Sequence, residues 1–160
     1  MIRKRGSQFA RAVDYYVGIP LVLLLSLFRP RHRTAPASIR RIGILISAAI
    51  GDTIVFSPLL KALKKKLPQT EIVLFVGPSN KPCVSLLEGM DTIVDIDPHH
   101  FIASAKRVRD SGKFDLWFDV GQWPRLNALL SFFARAGFRV GFQTACQYRH
   151  FLYDRVVRHS

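Results

Sequence analysis

Acidic side chains are scarce in this 160-residue chain: eleven Asp and Glu stand against 24 Lys and Arg, for a net charge of +13. That balance excludes an acidic solvating tail and favours an anionic partner. Cysteine is nearly absent. Cys83 and Cys146 form no CxxC and have no His at metal-ligand spacing. A disulfide framework and a structural zinc site are therefore not expected, and the pair suits reduced thiols in a cytosolic setting. His99-His100 is the one histidine pair, and adjacent side chains point apart on a helix or strand, so no metal site is read there. Neither GxGxxG nor GxxxxGK[ST] occurs, which leaves a dinucleotide fingerprint and a P-loop without support. No helix-turn-helix, zinc-finger or RNA-binding signature accompanies the basic residues, so nucleic acid is not the expected partner. What is present is an ordinary globular composition, 49% hydrophobic and 22% charged, in one domain's worth of chain.

The charge is uneven. Residues 1–40 hold eight Lys and Arg against one acid, residues 41–119 ten against nine, and residues 120–160 six against one. Two basic ends flank a nearly neutral middle. Within the first, Val17 to Phe28 is apolar and is followed at once by Arg29-Pro30-Arg31-His32-Arg33. Twelve helical residues cover about 18 Å, well short of the roughly 30 Å hydrocarbon core, so a single-pass helix is not expected. A basic start and Ala35-Pro36-Ala37 mimic an export signal, but cations directly after the apolar run argue against cleavage. Residues 1–33 read as a membrane-interfacial helix, with Tyr15-Tyr16 at the interface and cations for anionic lipid on both sides. The plain alternative is a helix packed on its own domain. Residues 34–39 read as a linker, and 40–160 as the domain.

The domain opens on Ile42 to Ile46, a β-branched apolar run of the kind buried on both faces of a parallel sheet. Small residues follow, then Gly51-Asp52, then a helical pattern. Ile54, Val55, Leu59, Ala62, Leu63 and Leu67 recur at spacings of three and four, which predicts the core-facing stripe. Lys64-Lys65-Lys66-Leu67-Pro68 ends that helix, with the lysines solvated. Glu71 to Val76 is a second buried strand, running into the turn-rich Gly77 to Pro82 on the same sheet edge as Asp52. Further along, Val84 to Glu88 predicts a short helix, Thr92 to Ile96 a third strand and His99 to Arg109 an amphipathic helix. Phe114 to Val120 predicts a fourth strand, Leu126 to Ala136 a helix closed by Gly137, and Arg139 to Phe142 a short fifth strand. Gln147 to Ser160 shows no clear period. This alternation predicts an α/β, Rossmann-like parallel sheet with helices on both faces.

Asp52 stands where the first strand hands over to the first helix. A carboxylate is favoured there by the free N–H groups and the macrodipole alone. The same position, at the carboxyl end of a parallel strand, is where open α/β sheets bind ligands, so a general base fits equally. Local pattern leaves both open.

Arg41-Ile-Gly-Ile-Leu-Ile-Ser-Ala-Ala-Ile-Gly-Asp52 followed by Ser57-Pro-Leu-Leu-Lys-Ala-Leu63 resembles glycosyltransferase family 9, the heptosyltransferases of lipopolysaccharide core synthesis. Phe114-Asp-Leu-Trp-Phe-Asp119 and Arg139-Val-Gly-Phe142 support it, and so does the leader Asp14-Tyr-Tyr-Val-Gly-Ile-Pro20. The likeness covers the family's first half, over residues 40 to about 158. It implies the N-terminal domain of a two-domain GT-B enzyme, holding a phosphorylated glycolipid acceptor, with Asp52 as general base. Ser47, Gly51, Thr53, Arg125 and Arg135 are the candidates for acceptor and phosphate contacts, although either Arg could equally be a solvated cation. No cofactor or metal is implied. The co-substrate is a nucleotide-sugar such as ADP-heptose, bound mainly by the family's second domain. The place implied is the cytoplasmic face of the inner membrane, peripherally attached. Nothing in the chain resembles that donor half, so the expectation is a truncated product, one piece of a split enzyme with a separate donor chain, or a relic with a binding role. A different class, a non-catalytic module for anionic glycolipid or membrane, remains the alternative. A response-regulator-type domain would need an acidic cluster and a Lys that the sequence does not supply.

Overall fold

The computed structural model describes residues 8–29, 34–47, 50–121 and 125–158. Its centre is one sheet of β1 (Arg41–Ile46), β2 (Glu71–Val76), β3 (Thr92–Asp95), β4 (Lys113–Asp119), β5 (Arg135–Gln143) and β6 (Arg155–Arg158). Every neighbouring pair is parallel, in the order β3-β2-β1-β4-β5-β6. The chain winds outward from β1 to β3, returns to place β4 beside β1, and winds outward the other way. The reversal makes the β1–β4 boundary a topological switch point, with its crevice at the carboxyl ends of the strands.

The apolar runs explain the layers. β1 and β2 are buried at every residue after the first, as central parallel strands must be. Ile42, Ile44 and Ile46 pack with Ile72, Leu74 and Val76 under α3 (Ile50–Lys66) and α4 (Lys81–Val84). Leu45, Val73, Phe75 and Trp117 pack on the other face, under α5 (Phe101–Asp110) and α6 (Arg125–Phe133). Gly43 lies in register beside Trp117. A Cβ there would stand 2.3 Å from the indole, so the glycine is what admits the largest side chain of the core.

Four expectations are corrected. On α3 the buried residues are Thr53, Phe56 and Leu60, with Leu63 and Leu67 packed beside them, while Ile54, Val55, Leu59 and Ala62 are exposed. Two apolar rows lie side by side on this helix, so periodicity could not rank them. The short helix begins at Lys81, ahead of the expected Val84, because Pro82 is suited to a first turn. Gly137 does not close α6. That helix ends at Phe133, and the Arg139 guanidinium takes the carbonyls of Ser131 (2.8 Å) and Ala134 (2.6 Å), so the chain can enter β5 at once. Finally, the stretch without a period contains a 3₁₀ turn (Arg149–Leu152) and β6, an edge strand whose two valines are bracketed by Arg155 and Arg158.

The N-terminal apolar segment is two helices, α1 (Gln8–Tyr16) and α2 (Gly18–Leu27). Val22 of α2 is fully buried against Ala128, Leu129, Leu152 and Tyr153, forming a third small core outside α6. Among the described residues no helix is long and apolar enough to cross a membrane.

Candidate functional site

The carboxyl edge at the switch point is built from the ends of β1, β2 and β4. After β1, Ser47 is buried and its Oγ donates to Asn127 Oδ1 at 2.7 Å, which ties β1 to α6. The β2 turn closes tightly on it: a Cβ on Gly77 would stand 2.0 Å from the Ser47 carbonyl oxygen. Asn80, fully buried in that turn, accepts from Gly77 N–H at 2.9 Å. Its Nδ2 donates to the Ile46 carbonyl (2.7 Å) and to Thr53 Oγ1 (3.0 Å). Thr53 is buried and serves to seat the start of α3 against β2. Gly51 is exposed, and a Cβ there would meet nothing.

Asp52 lies in the first turn of α3, exposed, with no hydrogen bond or ion pair to any described residue. It is an exposed acid in the turn that follows β1, with nothing among the described residues to hold.

The acid at the end of β4 is its opposite. Asp119 is buried, accepting from Gly121 N–H at 3.0 Å, from Asn127 Nδ2 at 3.4 Å and from the Tyr153 hydroxyl, with Arg149 Nη2 at 3.3 Å. Burial pushes its carboxyl above the ordinary carboxylate range, against the pull of Arg149 and the Tyr153 hydroxyl. Burial likewise drives the Tyr153 phenol well up, with the Asp119 charge adding to it. Gly141 makes this cluster: a Cβ there would sit 2.5 Å from the Tyr153 ring. Arg149 is wholly buried, donates also to the Gly121 carbonyl, and leaves Nε and Nη1 without a hydrogen-bond partner among the described residues.

The two expected phosphate contacts sit elsewhere. Arg125 opens α6 at the carboxyl edge but is buried. Its Nη1 pairs with Asp14 Oδ2, its Nε donates to the Gln147 carbonyl (3.1 Å) and its Nη2 to the Cys146 carbonyl (3.0 Å). Asp14 Oδ1 also caps α6 by accepting Arg125 N–H at 2.9 Å. Cys146 and Tyr148 are both left-handed, at φ 59° and 58°, and that bend turns the two carbonyls onto the guanidinium. Arg135 begins β5, opposite Lys113, at the amino edge of the sheet. It lines an open recess with Thr34, Asp115 and Gly137 that shares no residue with the carboxyl edge. Ser47, Gly51, Asp52 and Thr53 therefore come together at one strand-to-helix turn, and the two arginines do not join Asp52. Asn80 and Asn127, which brace that turn from either side, escaped sequence reading, since lone asparagines in a loop and a helix carry no spacing signal. Among the described residues no group of His, Cys, Asp and Glu converges as a metal site.

No family model matches the sequence, and no curated protein is similar to it. Solved structures are similar in fold. A glycosyl transferase family 9 protein from Veillonella parvula superposes with a TM-score of 0.64 at 17% identity, covering 78% of this chain and 38% of its own. The E. coli heptosyltransferase WaaC with ADP gives 0.61 at 17%, covering 74% and 41%. The E. coli ADP-heptose lps heptosyltransferase II gives 0.57 at 19%, covering 74% and 34%. At these identities the likeness establishes the fold: a Rossmann-like parallel sheet of the kind that forms the N-terminal half of these glycosyltransferases. The chain spans about two fifths of the length of the structures it matches.

Proposed function

We propose that this chain is the acceptor-side lobe of a glycosyltransferase of heptosyltransferase type, with Asp52 as the general base. The observation that carries the reading is the pairing of place and freedom. Asp52 follows the central strand at the switch point, and it alone of the two carboxylates flanking that boundary is exposed and without a partner among the described residues.

In the reaction, the acceptor hydroxyl gives its proton to the Asp52 carboxylate as its oxygen attacks the anomeric carbon of a nucleotide-sugar. The carbon–oxygen bond to the diphosphate breaks, and the nucleoside diphosphate departs with that electron pair and inverted configuration at the sugar. Ser47, Asn80 and Asn127 have no part in proton transfer. They hold the turn so that the first N–H groups of α3 face the acceptor, whose phosphates suit a helix start. Donor binding falls to a lobe other than this one, in keeping with the share of the matched structures that the chain covers.

The test combines the chain with a separately expressed donor lobe, ADP-heptose and a deacylated, phosphorylated core acceptor. Transfer is expected from the pair, and Asp52→Ala is expected to lower it by about 10²–10⁴-fold. Undiminished transfer by Asp52→Ala would refute the base. Acceptor binding with no transfer under any donor lobe would favour a non-catalytic glycolipid module.

A further inference from the structure

The α2 sequence, Gly-Ile-Pro-Leu-Val-Leu-Leu-Leu-Ser-Leu, is apolar on every side. Such a helix belongs in a core or in lipid, not half in water. One side is accounted for: Gly18 and Val22 are buried and Leu21 and Leu25 pack inward, against α6 and the 3₁₀ turn. The other side is bare. Leu23, Leu24, Leu27 and Phe28 are exposed, Leu27 at 72% and Phe28 at 74%. The one polar side chain, Ser26, turns its hydroxyl back onto the Leu23 carbonyl at 2.6 Å, so this face offers no free hydroxyl donor. Exposed Phe151 belongs to the same neighbourhood, since Arg29, just past α2, donates to its carbonyl at 2.9 Å.

The charge of the sequence that flanks this helix names its occupant. Residues 1–40 carry a net +7, eight cations against Asp14, distributed on both sides of α2 in the sequence. Arg155 and Arg158 are exposed on β6, directly after the turn on which α2 packs. An apolar helix side flanked in the sequence by cations, with exposed Arg155 and Arg158 on the strand whose Val156 packs on the same small core as Val22, matches the interface of an anionic bilayer. The geometry excludes spanning, because the inner side of α2 is committed to the domain.

We propose that α1 and α2 form a strut between an anionic membrane surface and the carboxyl edge of the sheet. The outer side of α2 seats in the lipid interface. Two ion pairs fix its inner side: Asp14 with Arg125, which opens α6 right after the β4 end, and Arg29 with Asp154, the neighbour of the tyrosine that holds Asp119. The lipid seat therefore sets the height and tilt of that edge. This inference stands without the transferase reading.

The full chain is mixed with sucrose-loaded vesicles of phosphatidylcholine alone, or of equal parts phosphatidylcholine and phosphatidylglycerol. Sedimentation with the anionic vesicles, weakened by salt, is expected. The triple variant Leu24→Ser, Leu27→Ser, Phe28→Ser changes only exposed positions, and vesicle affinity is expected to drop about 100-fold. Leu86→Ser, exposed on the far side of the sheet from α2, should leave affinity unchanged. Cys146 is exposed and Cys83 buried, so a fluorophore on Cys146 reads the strut through quenching by spin-labelled lipid. Asp14→Asn with Arg29→Gln should alter that quenching while vesicle binding persists; unaltered quenching overturns the strut. Failure of the wild-type chain to sediment, or undiminished sedimentation of the triple variant, overturns the lipid seat. So does a dimer in ultracentrifugation that the triple variant dissolves without any vesicle binding, since a second copy would then be the occupant.

Discussion

Asp52 and Asp119 end neighbouring halves of the same sheet and have opposite fates. Asp119 terminates β4 in a closed cluster with Arg149, Tyr153, Asn127 and the Gly121 N–H. Asp52 follows β1 with no partner among the described residues and lies open to solvent. Burial makes a carboxylate a structural joint, whose removal strands other polar groups. Exposure at a helix start leaves one free for an external proton. The sheet thus uses one acid to hold the β4–β6 side together and keeps the other available at the boundary.

The contrast breaks most readily on stability. Asp119→Ala leaves Arg149 buried without its counter-ion and is expected to cost about 3–5 kcal/mol in urea unfolding, while Asp52→Asn should change stability by less than about 1 kcal/mol. Similar losses from the two would abolish the distinction. Next in size, Gly141→Ala drives a methyl into the Tyr153 ring and should cost about 1–3 kcal/mol, with Tyr153→Phe close behind at about 1–2 kcal/mol for the lost bond to Asp119. A Gly141→Ala chain as stable as wild type would show that the ring is not needed where it stands. Ser47→Ala unlinks β1 from Asn127 and should cost about 1 kcal/mol; calorimetry would register it as a small downward shift in Tm.

A third carboxylate grades the comparison. Asp91 lies at the surface, pairs with Lys64 at 2.8 Å and accepts Ile72 N–H at 2.8 Å. Burial alone would raise its pKa, but the Lys64 and Ile72 hydrogen bonds outweigh it and hold the carboxyl below its usual value. Its contribution to stability is therefore complete above the unfolded value of about 3.9 and lost as pH falls through the lower folded value. Asp91→Asn should narrow its gap to wild type on acidification below about pH 4. A gap that widens there would reverse the sign and remove the Lys64 pairing from the account. This is the smallest of the expected effects.

Local sequence was most informative where one rule governed. The runs Ile42–Ile46 and Glu71–Val76 could only be central parallel strands, and the alternation after them led to the doubly wound sheet. Gly51-Asp52 at a strand-to-helix turn was likewise readable in place, because the carboxyl ends of such strands carry the ligand crevice. Misreadings arose where distant parts decide. Arg125 and Asp14 are 111 residues apart, so nothing near Arg125 announced that it was already paired. Local rules place Arg135 late in a helix, but the cap of α6 comes from Arg139, beyond the helix, and not from the glycine those rules favour. β6 escaped because an edge strand of four residues, half of them arginine, looks like a basic tail.

The fit of Tyr153 over Gly141 has an evolutionary corollary. Two positions twelve apart in sequence occupy one volume, so the glycine can gain a side chain only if the aromatic shrinks or leaves. Drift at either site is then correlated with drift at the other. That joint pattern, followed by the Asp154 that pairs with Arg29, is a signature by which remote homologues of this domain could be picked out after overall resemblance has faded.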